Sequence, residues 1–251
     1  MNPNLQKLHE LGQSLWVDNI TREMLGDGTL QGYIDELSIT GLTSNPTIFE
    51  RAIGAGDFYD EQIAELSRRG RSGEELFFEL ALRDLRQAAD LFRPVFNATN
   101  GVDGWVSLEV SPAIIDDTAR TTAAAAKLHD AAAKPNIYIK IPGTPAGVKA
   151  IEESIFAGVP INVTLLFSRE HYLAAAGAYL RGIERRRRAR PEGRVGRLAL
   201  RQPLGCRHQR QRRGSPRVAQ PARRSRSRGT ACSQELRART RGWANDMTAR
   251  R

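Results

Sequence analysis

Cysteine is nearly absent from this chain of 251 residues, which contains only Cys206 and Cys232. These two cysteines provide neither a disulfide framework nor the closely spaced pairs of a zinc site. No apolar run approaches the roughly 20 residues that a membrane-spanning helix needs, and the N-terminus has no signal-peptide pattern. We therefore expect a cytoplasmic protein with no metal site and no membrane segment.

Lysine is absent after Lys149, whereas arginine is concentrated towards the C-terminus. Residues 185–251 contain 22 of the 38 basic residues, all of them arginine, and only three acidic residues. Residues 1–184 have the opposite balance, with 16 basic and 25 acidic residues. The tail also lacks regular apolar spacing. The sequence therefore predicts a folded, mildly acidic domain over 1–184 and an irregular, disordered arginine-rich tail over 185–251.

Short apolar segments alternate with helical segments throughout residues 1–184. The spacing predicts five strands, over residues 14–18, 38–42, 104–110, 136–141 and 161–167. Helical spacing separates them, including a long helix over 47–69 and a helix over 145–157 that follows the fourth strand. Strands that alternate with helices are typical of parallel sheets with helical crossovers, so we predict an α/β fold.

Polar residues recur late in the predicted strands, on the side opposite the apolar face. Lys140 has this position in the fourth strand, and Asp18, Glu109 and Thr164 have it in the first, third and fifth. In an α/β barrel the carboxyl ends of the strands carry the active site. A buried ion-pair network that only neutralises itself is the alternative. We favour a functional site, because burying four polar groups costs several kcal/mol unless they are compensated.

A buried lysine between two carboxyl groups suits Schiff-base chemistry on a carbonyl compound. The amine must be neutral to attack the carbonyl carbon, and burial favours the neutral form. Dehydration of the adduct needs a proton donor and acceptor within hydrogen-bond reach, which one carboxyl group with a bound water supplies. The second carboxyl group can remove the hydroxyl proton when the carbon–carbon bond breaks.

Five segments together resemble the transaldolase family, the aldolase-type enzymes of the pentose phosphate pathway. They are Val17-Asp18, Thr43-Ser44-Asn45-Pro46, Val106–Val110, Ile139–Pro142 and Asn162–Ser168. The match runs in order over about residues 5–184. The resemblance implies a class I aldolase (β/α)8 TIM barrel that needs no metal or organic cofactor. It also implies that the substrates are sugar phosphates, a dihydroxyacetone unit moving from sedoheptulose 7-phosphate to glyceraldehyde 3-phosphate.

The resemblance also suggests roles for the polar residues. Lys140 resembles the Schiff-base lysine, and Asp18 resembles the base that deprotonates the C4 hydroxyl of the sugar. Glu109 and Thr164 resemble the pair that holds the water used in dehydration.

Two asparagines, Asn45 and Asn162, resemble the amides that orient the dihydroxyacetone hydroxyls. Asn45 precedes a proline and is also a natural turn residue. A turn role is weak for Asn162, which lies within a predicted strand and faces the barrel interior.

The similarity to the family stops near residue 184. The family continues with three more strands, which include a Ser-Arg-x-Asp motif and arginines that bind the sugar phosphate. One permitted set of codons for Arg201–Gln209, read one base later, encodes Val-Ser-Arg-Trp-Asp-Val-Ala-Thr. We therefore interpret residues from about 185 onward as a frameshifted tail. An incomplete barrel of about five in-frame strands should have open edges and little or no transaldolase activity.

Two other functions stay open. One is a different class I sugar-phosphate aldolase, such as a fructose 6-phosphate aldolase of the transaldolase type. The other is nucleic-acid binding by the arginine tail. Because the tail has a single aromatic residue, Trp243, and no known binding motif, specific nucleic-acid recognition is not expected. A homodimer is one option for the assembly.

Overall fold

A computed structural model describes residues 3–189 of the chain. The five strands are β1 (Trp16–Val17), β2 (Gly41–Thr43), β3 (Trp105–Glu109), β4 (Ile137–Pro142) and β5 (Ile161–Thr164). The α-helices are α1 (Pro3–Glu10), α2 (Arg22–Gly26), α3 (Thr29–Leu37), α4 (Pro46–Gly54), α5 (Asp60–Arg68), α6 (Gly73–Ala98), α7 (Thr118–Ala132), α8 (Pro145–Ala157) and α9 (Arg169–Ala189). A short 3₁₀ helix spans Pro112–Ile114. The predicted tail lies, from residue 190 onward, outside the described residues.

All five strands belong to one parallel sheet with the order β1-β2-β3-β4-β5. Each strand therefore pairs with the next one along the chain, and helices connect them. This succession is the one found in a (β/α)8 barrel, where every strand is followed by a helix on the outside. The described residues thus have the predicted α/β fold, consistent with part of a TIM barrel.

The two faces of the sheet differ in polarity, as the alternation predicts. In β4, Ile137, Ile139 and Ile141 are fully buried in the core beneath the helices. Burying one such side chain stabilises the fold by roughly 1.5–3 kcal/mol, so the alternation determines which face meets the helices. The intervening residues, Tyr138 and Lys140, point to the other face, which is the inner side of the partial barrel.

Three elements differ from the prediction in their bounds. The predicted helix over 47–69 is two helices, α4 and α5, and Gly54 and Gly56 lie at and just after the end of the first. The second strand starts at Gly41 because Ser38, with φ of 53°, caps α3 in the left-handed conformation. The last helix extends to Ala189, so the first five residues of the predicted irregular tail, 185–189, are helical.

The fifth strand is shorter than predicted and ends at Thr164. Leu165 has φ of 60°, a left-handed conformation that is uncommon for a leucine and incompatible with a continuing strand. Leu165 is therefore 36% exposed and does not share the apolar face of Ile161 and Val163, where the predicted strand over 161–167 would have placed it. The next aromatic residue, Phe167, is 71% exposed.

Side-chain hydroxyls cap the helices that follow β4 and β5. The Thr144 hydroxyl accepts a hydrogen bond from the backbone N–H of Gly147 and so begins α8. The Ser168 hydroxyl accepts one from His171 at the start of α9. Between residues 3 and 189, no helix combines the length and the apolar character needed to cross a membrane.

Candidate active site

Lys140 lies near the end of β4 and forms an ion pair inside the protein. Its Nζ atom is 3.0 Å from Oε2 of Glu109, the last residue of β3. Lys140 is 7% exposed and Glu109 is 6% exposed. The two residues are direct partners in the register of β3 and β4, so their side chains leave the sheet on the same face. The sheet register itself therefore brings the amine and the carboxylate together.

A backbone carbonyl completes the surroundings of the amine. Lys140 Nζ donates a hydrogen bond of 2.9 Å to the carbonyl oxygen of Ser44, which directly follows β2. Ser44 is in turn held by β3, because its backbone N–H and its hydroxyl both donate to the carbonyl of Ser107, at 3.2 and 2.8 Å. Strands β2, β3 and β4 thus all contribute to fixing the position of the amine.

Asn162 lies beside Lys140 on the neighbouring strand. It is the register partner of Lys140 in the pairing of β4 with β5, and it is half-buried. Its amide Nδ2 donates a hydrogen bond of 3.0 Å to the hydroxyl of Ser107. The structure therefore groups Lys140, Glu109 and Asn162 at the carboxyl ends of three adjacent strands.

Asn45 is the N-cap of α4, and its side chain accepts a hydrogen bond of 3.0 Å from the backbone N–H of Ile48. The predicted turn role is therefore present. Asn45 also follows Ser44 directly, so the cap holds the chain that presents the Ser44 carbonyl to Lys140.

Thr164 is the last residue of β5, is half-buried, and pairs with Pro142 two residues beyond Lys140. Its carbonyl accepts a hydrogen bond of 2.8 Å from Gly143, which ties the end of β5 to the turn after β4. Thr164 therefore lies one layer of side chains closer to the open end of the strands than Lys140.

Asp18 directly follows β1 and is exposed. Strands β2 and β3 separate β1 from β4 in the order of the sheet. Of the six residues predicted from the sequence, Asp18 is the one furthest along the sheet from the amine.

Aromatic rings fill the inner face of the sheet on the amino-terminal side of Lys140. The rings of Trp105 and Tyr138 stack with centroids 3.9 Å apart, and Trp16 stacks on Tyr138 at 6.3 Å. Gly41 makes room for this arrangement, since a Cβ atom there would lie 2.4 Å from the Trp16 ring. Burial also raises the pKa of the Tyr138 hydroxyl above its usual range. The site is therefore apolar on this side, which restricts the access of water to the amine.

Two residues of the site, Ser44 and Ser107, were not predicted to have a role. Ser107 lies two residues before Glu109 on the same face of β3, which was a usable signal. The contact of Ser44 is made by its backbone carbonyl, which no side-chain pattern reveals. Within the described range 3–189, no group of three or more His, Cys, Asp or Glu residues is arranged to hold a metal ion.

The amino-acid sequence of the chain is similar to those of known proteins. The profile of the family described as "Transaldolase/Fructose-6-phosphate aldolase" matches residues 15–199. Among curated proteins, the chain is 45% identical over 189 residues to a transaldolase of Thermobifida fusca, a match that covers 75% of this chain and 51% of the relative. It is 42% identical over 183 residues to a transaldolase of Trichodesmium erythraeum, covering 73% of this chain and 48% of that protein. The chain therefore spans about half the length of the curated relatives that it matches.

Proposed function

Because this chain belongs to the transaldolase/fructose-6-phosphate aldolase family, we propose that Lys140 forms a Schiff base with a ketose phosphate. The complete reaction would transfer a dihydroxyacetone unit from sedoheptulose 7-phosphate to glyceraldehyde 3-phosphate. The proposal depends on one observation, the buried amine of Lys140 at 3.0 Å from the Glu109 carboxylate. The relatives from Thermobifida fusca and Trichodesmium erythraeum, both named transaldolase, support the same reaction class.

The first half of the reaction forms the imine. Lys140 first transfers a proton to Glu109, and the neutral amine then attacks the C2 carbonyl carbon of the ketose while the carbonyl oxygen takes that proton from Glu109 to become a hydroxyl group. The nitrogen loses a proton, the C2 hydroxyl leaves as water after protonation, and a protonated imine remains. Glu109 is the group that exchanges these protons, because its carboxylate is within hydrogen-bond distance of the nitrogen. Thr164 would help to hold the water.

The second half breaks and remakes a carbon–carbon bond. Asp18 removes the proton of the C4 hydroxyl, the C3–C4 bond breaks, and its electron pair flows into the protonated imine to give an enamine. The aldehyde fragment leaves, and the enamine carbon adds to the aldehyde of the acceptor in the reverse sequence. Hydrolysis of the new imine then releases the ketose product. Asn45 and Asn162 would orient the hydroxyl groups of the dihydroxyacetone unit.

A second candidate reaction is cleavage without an acceptor, as in a fructose 6-phosphate aldolase. The description of the matched family names both activities, so this alternative has direct support. The two reactions share the Lys140 imine and differ in whether the enamine is protonated or adds to an aldehyde. Release of free dihydroxyacetone in the absence of an acceptor would favour cleavage.

Trapping of the imine by borohydride tests the proposal. Reduction in the presence of fructose 6-phosphate should add the mass of a reduced sugar fragment to the peptide that contains Lys140. Lys140→Ala should abolish the adduct, whereas Lys149→Ala, which removes an exposed lysine of α8, should leave it unchanged. An adduct that persists in Lys140→Ala would refute the assignment of the nucleophile.

The remaining expectations are proposals as well. We propose that residues 185–251 are an out-of-frame arginine-rich tail, and sequencing of the coding DNA tests this directly. A coding sequence with no family-like motif in the shifted frame would refute the proposed frameshift. Cytoplasmic location, homodimer formation and the lack of specific nucleic-acid binding stay predictions.

A further inference from the structure

We infer that the hydroxyl group of Ser107 sets the orientation of the Asn162 amide beside Lys140. Ser107 is then a positioning residue, because it acts through a side chain that faces the ketose and does not itself touch the reacting atoms. The relevance of Asn162 to catalysis rests on the proposed function. The hydrogen bond between the two side chains is a property of the fold and can be tested separately.

The contact joins two strands that are not neighbours. Ser107 is in the middle of β3 and Asn162 is in β5, with β4 between them. Their side chains nevertheless meet at 3.0 Å. Side chains from alternate strands share a layer in the interior of a barrel, because the curvature of the sheet brings them together on its inner side. The hydrogen bond therefore crosses the inner face of β4 next to Lys140.

Burial makes the Ser107 hydroxyl depend on the Asn162 amide for a hydrogen-bond partner. Ser107 is fully buried, and a buried hydroxyl or amide group without a hydrogen-bond partner is costly. The bond uses one N–H of the Asn162 amide and leaves the second N–H and the amide oxygen for a ligand. The terminal torsion of asparagine is broad, so an amide without this bond would take up several orientations.

The hydroxyl and the carbonyl of Ser107 make different hydrogen bonds. The carbonyl accepts both hydrogen bonds from Ser44, which presents its own carbonyl to Lys140. The Ser107→Ala substitution removes only the hydroxyl and keeps this backbone arrangement. Its effect should therefore reach the site through Asn162 alone.

A double-mutant cycle in the full chain measures this dependence. The readout is the rate at which borohydride traps fructose 6-phosphate on Lys140 at a concentration below saturation. Ser107→Ala should lower the rate about five- to tenfold, as expected for one lost hydrogen bond. Asn162→Ala should lower it at least as much, and adding Ser107→Ala to it should cause no further loss. Ser154→Ala, which removes another buried serine hydroxyl, on α8, is the matched control and should not change the rate.

The side-chain amide signal of Asn162 provides a readout that does not depend on activity. In a proton–nitrogen correlation spectrum this signal is the one lost in Asn162→Ala. It should shift in Ser107→Ala and stay in place in Ser154→Ala. If the wild-type chain traps no ketose, the proposed function fails. The amide signal still tests whether the Ser107 hydroxyl orients the Asn162 amide. An Asn162 signal that does not shift in Ser107→Ala would overturn the inference. So would a loss of trapping rate in the double variant equal to the product of the losses in the two single variants.

Discussion

The amine of Lys140 and the carboxylate of Glu109 form an ion pair 3.0 Å apart in which each residue is less than a tenth exposed. A buried pair of this kind contributes little to stability, because the cost of removing both charges from water offsets their attraction. The proposed imine chemistry gives this pair a role in the interior of the sheet. An amine that forms an imine exchanges protons at several steps, and a carboxylate within hydrogen-bond distance can accept and donate them.

Replacement of Glu109 by glutamine should slow imine formation and destabilise the fold. The trapping rate on Lys140 should fall about a hundredfold, the low end of the range for loss of a general acid–base group. The free energy of unfolding should fall by about 3 kcal/mol, because the lysine is left buried without its partner charge. Time-resolved trapping and denaturant unfolding measure the two effects.

The exposed residue Glu36 on α3 offers a matched control, and Glu36→Gln should change neither quantity. Combining Glu109→Gln with Lys140→Met should restore part of the stability, since the unpaired charge is then gone. A double variant that is less stable than Glu109→Gln alone would contradict this explanation of the pair.

The Ser44→Ala substitution should loosen the carbonyl that holds the Lys140 amine. It removes the hydrogen bond from the Ser44 hydroxyl to the Ser107 carbonyl, which should cost about 1 kcal/mol of unfolding free energy. It should also slow trapping on Lys140. Ser67→Ala removes a bond of the same chemical type away from the site, from a partly buried serine hydroxyl to the Ile63 carbonyl four residues earlier in α5. This control should trap at the wild-type rate, and equal trapping losses in both variants would argue against a role for Ser44.

Two buried tyrosines should make the fold sensitive to alkali. Burial raises the pKa of Tyr59 and of Tyr138 above the usual value of 10.0, and the negative charge of Asp84 adds to the effect at Tyr59. Above pH 10.0 the unfolded chain therefore loses protons that the folded chain keeps. The free energy of unfolding should fall as the pH rises through this range, and denaturant unfolding at a series of alkaline pH values measures the slope.

Substitution by phenylalanine should separate the two tyrosines. Among the described residues the Tyr138 hydroxyl has no hydrogen-bond partner, so Tyr138→Phe should leave stability at neutral pH unchanged or raise it by up to about 1 kcal/mol. The Tyr59 hydroxyl donates to Asp84 at 2.7 Å, so Tyr59→Phe should be destabilising by about 1–3 kcal/mol. Both variants should show a shallower alkaline slope, and an unchanged slope in both would contradict the pKa argument.

Turnover by the chain should be weak even where imine formation succeeds. In the part that the structure describes, β1 and β5 are edge strands, and Phe167 and Leu180 are 71% and 58% exposed. Open strand edges with exposed apolar residues favour association and allow the site to move. A misplacement of about 1 Å can lower a rate about a hundredfold, so we expect transfer at least that far below a full-length relative. The transaldolase of Thermobifida fusca, assayed in parallel for release of aldehyde phosphate, is a suitable reference, and comparable turnover would refute this prediction.

The sequence by itself determined the strand–helix alternation and the face on which Lys140 lies. Both follow from local periodicity, because isoleucines two residues apart in β4 must share the buried side. The sequence also located Glu109 and Asn162 late in their own strands. It could not show that Leu165 ends β5, since a left-handed leucine has no sequence signal.

Only the tertiary structure decided which groups touch the amine. The register of β3, β4 and β5 places Glu109 and Asn162 on either side of Lys140, and register depends on contacts between residues far apart in the chain. Besides the Glu109 carboxylate, the amine contacts the Ser44 carbonyl, which belongs to the backbone that every residue has. A pattern of side chains predicts which residues are buried or exposed. It does not predict which backbone carbonyl accepts a hydrogen bond, because that depends on the tertiary structure.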